Sequence, residues 1–240
     1  MNEVISHVLQ ALDAVDERFY GLDDIAFQNE ALIDNDTIRN LERRFMIEFS
    51  SKYAAVMQDN DIGYVGVRYD FEVPKKFMWH ENPDLEIRKT FEHLNKRRDV
   101  DMLKYFETQP DFLVHASQTD MRDQRLIIEA KVNPHASKGE VHKDIFHTLI
   151  YANKYSYRNS VLLLVNTEIL RWLQWLSDYR DKGLYLGSPE KLLDIYVISK
   201  QSMQAATEVD TLANHLGQLQ SFRPASDLGV GCSSDADQQR

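Results

Sequence analysis

A chain of 240 residues with 43% hydrophobic and 28% charged positions has the make-up of one globular domain, able to bury about 70% of its unfolded surface, and is neither fibrous nor largely disordered. Its formal net charge of -10 speaks against a protein that coats nucleic acid indiscriminately, though not against a local basic groove. The single cysteine, Cys232, excludes an internal disulfide or a cysteine metal cluster and fits a reducing, cytoplasmic setting. Met1 to Val15 lacks a basic segment followed by an apolar run, and runs such as Val161 to Val165 are too short to span a bilayer, so neither export nor membrane association is expected.

In chain order, Val4, Ile5, Val8, Leu9, Leu12 and Val15 recur at helical spacing and predict a helix over 2–19, with Gly21 as its stop. After an acidic loop, Asp36 is placed to cap a second helix running to about Met57. Its buried stripe would include Ile38, Leu41, Phe45, Phe49, Tyr53 and Val56. Tyr64 to Val73 alternates and ends at Pro74, the pattern of a strand. Pro83 to Phe106 carries Leu85, Ile87, Phe91, Leu94, Val100, Leu103 and Phe106 among many charges, which predicts one or two surface helices and a helical insertion over 77–107. Lys75, Lys76, Arg88, Lys89, Lys96, Arg97 and Arg98 gather here, either to face phosphates or as a solvated helix surface.

Phe112 to His115 and Arg125 to Val132 read as two strands joined through a polar turn over 117–124, an antiparallel hairpin. Val141, Ile145, Leu149, Ala152 and Tyr155 predict a helix over 137–155, and Ser160 to Asn166 a strand buried on both faces. A helix over 168–179 and a strand over 192–198 complete the core. The class is α/β: a mixed central sheet flanked by helices, in one domain over 1–221 with residues 1–35 as an N-terminal helical extension. Residues 222–240, rich in Pro, Ser, Asp, Gly and Gln, are expected to be a disordered tail.

The chemistry gathers on the hairpin. Asp111 opens the first strand after Pro110, and Glu129 and Lys131 close the second after Leu126, Ile127 and Ile128. Side chains two apart on a strand share a face, and the hairpin brings Asp111 beside them. Two ionised carboxylates so close repel unless a cation intervenes. Mg2+, or Mn2+ in its place, takes one or two carboxylates, keeps waters and engages phosphate, which suits an Asp and a Glu with no His or Cys cluster. Lys131 is placed to orient, or help deprotonate, an activated water and to stabilise charge developing on phosphate.

Pro110-Asp111, then Glu129-x-Lys131, then a helix, resembles the PD-(D/E)XK nuclease superfamily over roughly Asp36 to Ile198. The resemblance implies a restriction-endonuclease-like core and metal-dependent hydrolysis of nucleic acid phosphodiesters, DNA before RNA, in a prokaryotic defence or restriction setting. A homodimer or a subunit of a larger defence complex would fit it. It also implies a third carboxylate on a helix before the sheet, for which Glu42 is the first candidate and Glu48 the second. The RecB-like branch has Gln-x-x-x-Tyr on the following helix; here His147-x-x-x-Tyr151 stands at that spacing, with His in place of Gln. Glu72 is a further carboxylate able to approach from the first strand.

Other readings stand beside this one. Asp111, Glu129 and Lys131 could form a surface ion pair worth about 0 to 1 kcal/mol, and the chain could be a nuclease-fold subunit that binds nucleic acid or a partner protein without cutting. His142 and His147, five apart, do not share a helix face and make a poor zinc pair. Trp172 and Trp175 read as core rather than as a base-stacking platform. No Gly-rich phosphate loop and no Gly-x-Ser-x-Gly elbow is present, which disfavours a P-loop nucleotidase and a serine hydrolase.

Overall fold

The structure, a computed structural model, describes residues 2–22, 35–59, 68–70, 75–76, 84–97, 107–108, 110–115, 124–202 and 204–221. Glu72, Arg98, the turn after His115 and the tail over 222–240 lie outside these residues. Helix α1 spans Glu3–Asp13, with the Asn2 side chain accepting from the Val4 N–H at its start. It ends six residues before the expected Phe19. The cause is local: the Asp16 side chain accepts from the Arg18 N–H and opens a separate turn of 3-10 helix over Glu17–Phe19. Val15 is buried all the same.

Helix α2 spans Asn35–Asp59, and the side chain of Asp36, the expected cap, lies outside what is described. Leu41, Phe45, Phe49 and Tyr53 are buried as the spacing requires. Strand β1 is described over Arg68–Asp70. The expected insertion is bracketed by a two-stranded antiparallel ribbon, β2 (Lys75–Lys76) and β3 (Glu107–Thr108), and carries helix α3 (Leu85–Asn95). That helix is more than surface: Ile87 and Leu94 are fully buried, and the Thr90 hydroxyl accepts from the Tyr185 N–H at 2.8 Å.

The central sheet then forms from β4 (Phe112–His115), β5 (Gln124–Lys131), β6 (Asn159–Val165), β7 (Ile195–Lys200) and β8 (Glu208–Thr211), in the order β1-β4-β5-β6-β7-β8. β4 pairs antiparallel with β5, the predicted hairpin, while β5, β6 and β7 run parallel and β1 and β8 close the edges antiparallel. The crossovers are helices α4 (Lys138–Lys154) and α5 (Ile169–Asp181); α6 (Leu212–Ser221) follows β8. β7 starts three residues later than Leu192, because Lys191–Asp194 forms a 3-10 turn. β8 and α6 answer to no expectation from the sequence.

Alternation along the strands sorts the core into two layers. Leu126, Ile128 and Ala130 of β5 and Val161, Leu163 and Val165 of β6 pack against α1 and α2. Leu162 and Leu164 face α4, α5 and α6 on the other side, with Trp172 fully buried among them. Glu129 and Lys131 share the α4 side and stand at the carboxyl end of β5, the end at which open α/β sheets place ligands. No helix among the described residues is long and apolar enough to cross a membrane.

Candidate active site at the end of β5

Backbone register builds the site. Phe112 pairs with Ile128, so Asp111 falls opposite the Glu129 end of β5, and its Oδ2 accepts from the Ala130 N–H at 2.7 Å. The Asp111 carboxylate is thereby pinned between the neighbours that bear the other two functional groups. Phe112 turns the opposite way and is held edge-on by Phe49 and Tyr53 at ring separations of 5.8 and 5.4 Å, which fixes the strand end carrying Asp111.

Glu42 arrives from the other layer. It leaves α2 beside buried Leu41 and reaches around the strand end, where Oε1 lies 3.4 Å from Lys131 Nζ and Oε2 accepts from the Val132 N–H at 3.4 Å. Lys131 is therefore gripped from two layers at once, by Glu42 of α2 and by Asp144 Oδ2 of α4, also at 3.4 Å. Lys143 Nζ stands 3.9 Å from Asp144 Oδ1, and His147 Nδ1 stands 3.7 Å from Glu129 Oε1, beyond hydrogen-bond length. Among the described residues that buried Glu129 oxygen has no hydrogen-bond partner.

Four carboxylates thus crowd two ammonium groups, with Glu129, Lys131 and Asp144 buried and Asp111, Glu42 and Lys143 half-buried. Burial, then the charges of Glu129 and Glu42, push the Asp111 carboxyl well above its ordinary value. Burial, then Asp144, do the same for Glu129, and Glu42 is raised by burial against the pull of Lys131. Burial alone would lower the Lys131 ammonium, but Asp144, Glu42 and Asp111 together outweigh it and hold Lys131 well above the usual lysine value. The charged form of Lys131 is thereby favoured, which suits its expected parts in orienting water and stabilising negative charge. Burial, reinforced by Lys143, depresses His147 to about 3, so its ring meets Glu129 uncharged.

The remaining expectations sort plainly. Glu48 is drawn to Lys52 at 3.1 Å and is not part of the cluster; Glu72 lies outside the described residues. Tyr151 is fully buried against Leu113, Ile127 and Tyr157, one turn beyond His147, and so supports the layer beneath the site. His142 does not join His147: its Nε2 lies 2.9 Å from the Trp175 carbonyl oxygen and burial lowers it to about 4. Arg88, Lys89 and Lys96 are exposed on or just after α3, with Arg88 paired to Glu92 at 3.2 Å. Asp144 and Lys143 were missed. The signal for Asp144 was present, since Glu140, Asp144, His147 and Tyr151 follow i, i+4, i+7, i+11 and form a polar-edged stripe along one face of α4.

Among the described residues no three His, Cys, Asp or Glu side chains form a ready metal cage. The unpartnered Glu129 oxygen and the Asp111 carboxylate beside it are hard oxygen donors of the right number and kind for Mg2+. Comparison of the chain with protein-family models, with curated proteins and with solved structures gives no match.

Proposed function

We propose that this chain is a metal-dependent nuclease of the PD-(D/E)XK kind, hydrolysing phosphodiester bonds, DNA before RNA. The observation that carries the reading is the Ala130 N–H bond to Asp111, which gathers two carboxylates and a lysine at one strand end. Buried carboxylates whose values are raised by burial and by one another cluster where a cation or a reaction makes use of them. Asp111 and Glu129 would hold Mg2+ or Mn2+, with Glu42 as the third carboxylate once it leaves Lys131. When bound, the ion would activate water for attack and neutralise charge on the phosphate. Lys131 orients that water and stabilises the charge that develops as the phosphorus is attacked, in a site where a fixed cation needs no reorganisation. On this reading a homodimer would bring two sites to the two strands of a duplex, and a partner subunit in a larger defence complex would add the nucleic-acid affinity that a net charge of -10 disfavours.

A second reading, a nuclease-fold subunit that binds nucleic acid or a partner protein without cutting, is favoured by one observation: Lys131 is already engaged by Glu42 and Asp144. Cleavage of plasmid, linear duplex, single strands and RNA with Mg2+ or Mn2+ decides between them. The nuclease reading expects metal-dependent cutting that falls to background in Asp111→Ala and by about a hundredfold or more in Lys131→Ala. Cutting that survives in both variants overturns the site. No cutting, with no Mg2+ or Mn2+ bound by calorimetry, establishes the silent subunit.

A further inference from the structure

One buried charge in the site has no part in the motif that suggested it. Asp144 is 6% exposed, sits 3.4 Å from Lys131 and 3.9 Å from Lys143, and is the strongest charge acting on both Glu129 and Lys131. It stands on a rigid support. The Ser137 and Glu140 side chains close a capping box at the start of α4, Val141 and Ile145 anchor the helix in the core, and the Asp144 carbonyl accepts from the Thr148 hydroxyl at 2.8 Å. Glu42, the other carboxylate on Lys131, is 22% exposed, comes from the opposite layer and also accepts from the Val132 N–H. Glu42 is therefore the partner able to leave, and Asp144 the one that must stay.

We propose that Asp144 is the positioning residue of this site, fixing the Lys131 ammonium at the end of β5 when Glu42 turns away and holding Lys143 at the mouth to meet a substrate phosphate. The role in catalysis rests on the nuclease reading; the grip on Lys131 does not. Lys143, 25% exposed on its side chain, is the cation of the pair that a phosphate can reach. A carboxylate that bridges a buried and an accessible ammonium ties the orientation of the first to the position of the second.

Two measurements on the full chain test this. In nitrogen–proton correlation spectra of lysine ammonium groups, Lys131 should give a slowly exchanging signal, absent from Lys131→Ala and broadened or shifted in Asp144→Asn. In cleavage assays with Mg2+ or Mn2+, Asp144→Asn should lower kcat about tenfold or more, yet change it less than about threefold in the Lys131→Ala background, because the two residues act as a unit. Asp144→Glu should recover part of the loss, and Lys143→Ala should raise KM by about tenfold with a smaller effect on kcat. An unchanged Lys131 signal in Asp144→Asn, or an undiminished loss in the Lys131→Ala background, overturns the proposal. If Asp144→Asn does not fold, Asp144→Glu and the Lys131→Ala double variant, in which neither Lys131 nor Asp144 is left as an unpaired charge, carry the same comparisons. If the wild type does not cut, the nuclease reading fails on its own and the ammonium signal alone decides the grip on Lys131.

Discussion

Replacing Asp111 by Asn should abolish metal-dependent cleavage and make the metal-free protein more stable, a pairing that an ordinary structural aspartate would not give. The side chain keeps its one hydrogen bond, because an amide oxygen accepts from the Ala130 N–H as the carboxylate does at 2.7 Å, and the new amide group can donate toward the Glu129 carboxylate. Loss of charge assistance in that bond costs about 1 kcal/mol. Relief of the cost of burying the charge, and then of the repulsion from Glu129 and Glu42, exceeds this and the lost attraction of Lys131, as is common where a functional site is destabilised, for a net gain of about 1 kcal/mol. In a domain of this size that is a rise in Tm of about 2–4 °C at neutral pH.

The pH dependence has a definite sign. Asp111 and Glu129 titrate higher in the folded chain than in the unfolded one, so the stability they contribute is full below the ordinary carboxylate range, about pH 4, and is lost as pH rises through their raised values. His142 and His147 act oppositely: held down to about 4 and about 3, they remove stability as pH falls below 6.5. Both proteins carry those histidines, so the variant-minus-wild-type difference isolates the carboxylates. Thermal unfolding in EDTA should show that difference smallest below about pH 4 and growing steadily as pH rises through the neutral range. Mg2+ at a hundredfold its Kd should then stabilise the wild type by about 2.7 kcal/mol and the variant little. A variant less stable than wild type at neutral pH, or a difference that does not grow with pH, refutes the reasoning.

Lys131→Ala goes the other way: it strands Glu42 and Asp144 and should cost about 3 kcal/mol in urea unfolding, toward the lower end for a buried pair because Glu42 keeps 22% of its surface open. Ser137→Ala removes half of the α4 capping box and should lower stability by about 1 kcal/mol, or about 2–4 °C in Tm. The His142 ring, buried with its Nε2 at the Trp175 carbonyl, should titrate by NMR at about 4, because burial outweighs the upward pull of that contact; a midpoint near 6.5 would mean that the ring is not buried in solution.

Much of this fold could be read from residue order because the relevant elements are buried in the simplest way. The Leu126 to Ala130 run, the all-apolar Val161 to Val165 and the i, i+4 ladder of α2 each have one period and one place to go. β8 was illegible for the converse reason. Glu208–Thr211 is a four-residue edge strand with Val209 as its single aliphatic residue, and its identity comes from pairing with β7, not from its own pattern. Leu212, Leu216 and Leu219 of α6 did carry helical spacing, but a ten-residue segment beside an unrecognised strand offers no frame in which to place it. The stop of α1 at Asp13 turned on side-chain capping by Asp16, which apolar periodicity does not register.

The site divides along the same line. Asp111, Glu129 and Lys131 follow from pleat geometry, since a hairpin with known ends leaves no choice of face. Asp144 does not, because on most helices a polar residue beside an apolar stripe faces water. Helix α4 breaks that rule: it is covered by the sheet, by α3 and by α5, and His142, Asp144, His147 and Thr148 are all buried with the apolar residues. On a helix enclosed in this way a buried carboxylate must find a cation. The cation nearest to hand is Lys131, at the end of the strand that α4 follows, so burial of the crossover helix is itself what extends the site beyond the hairpin.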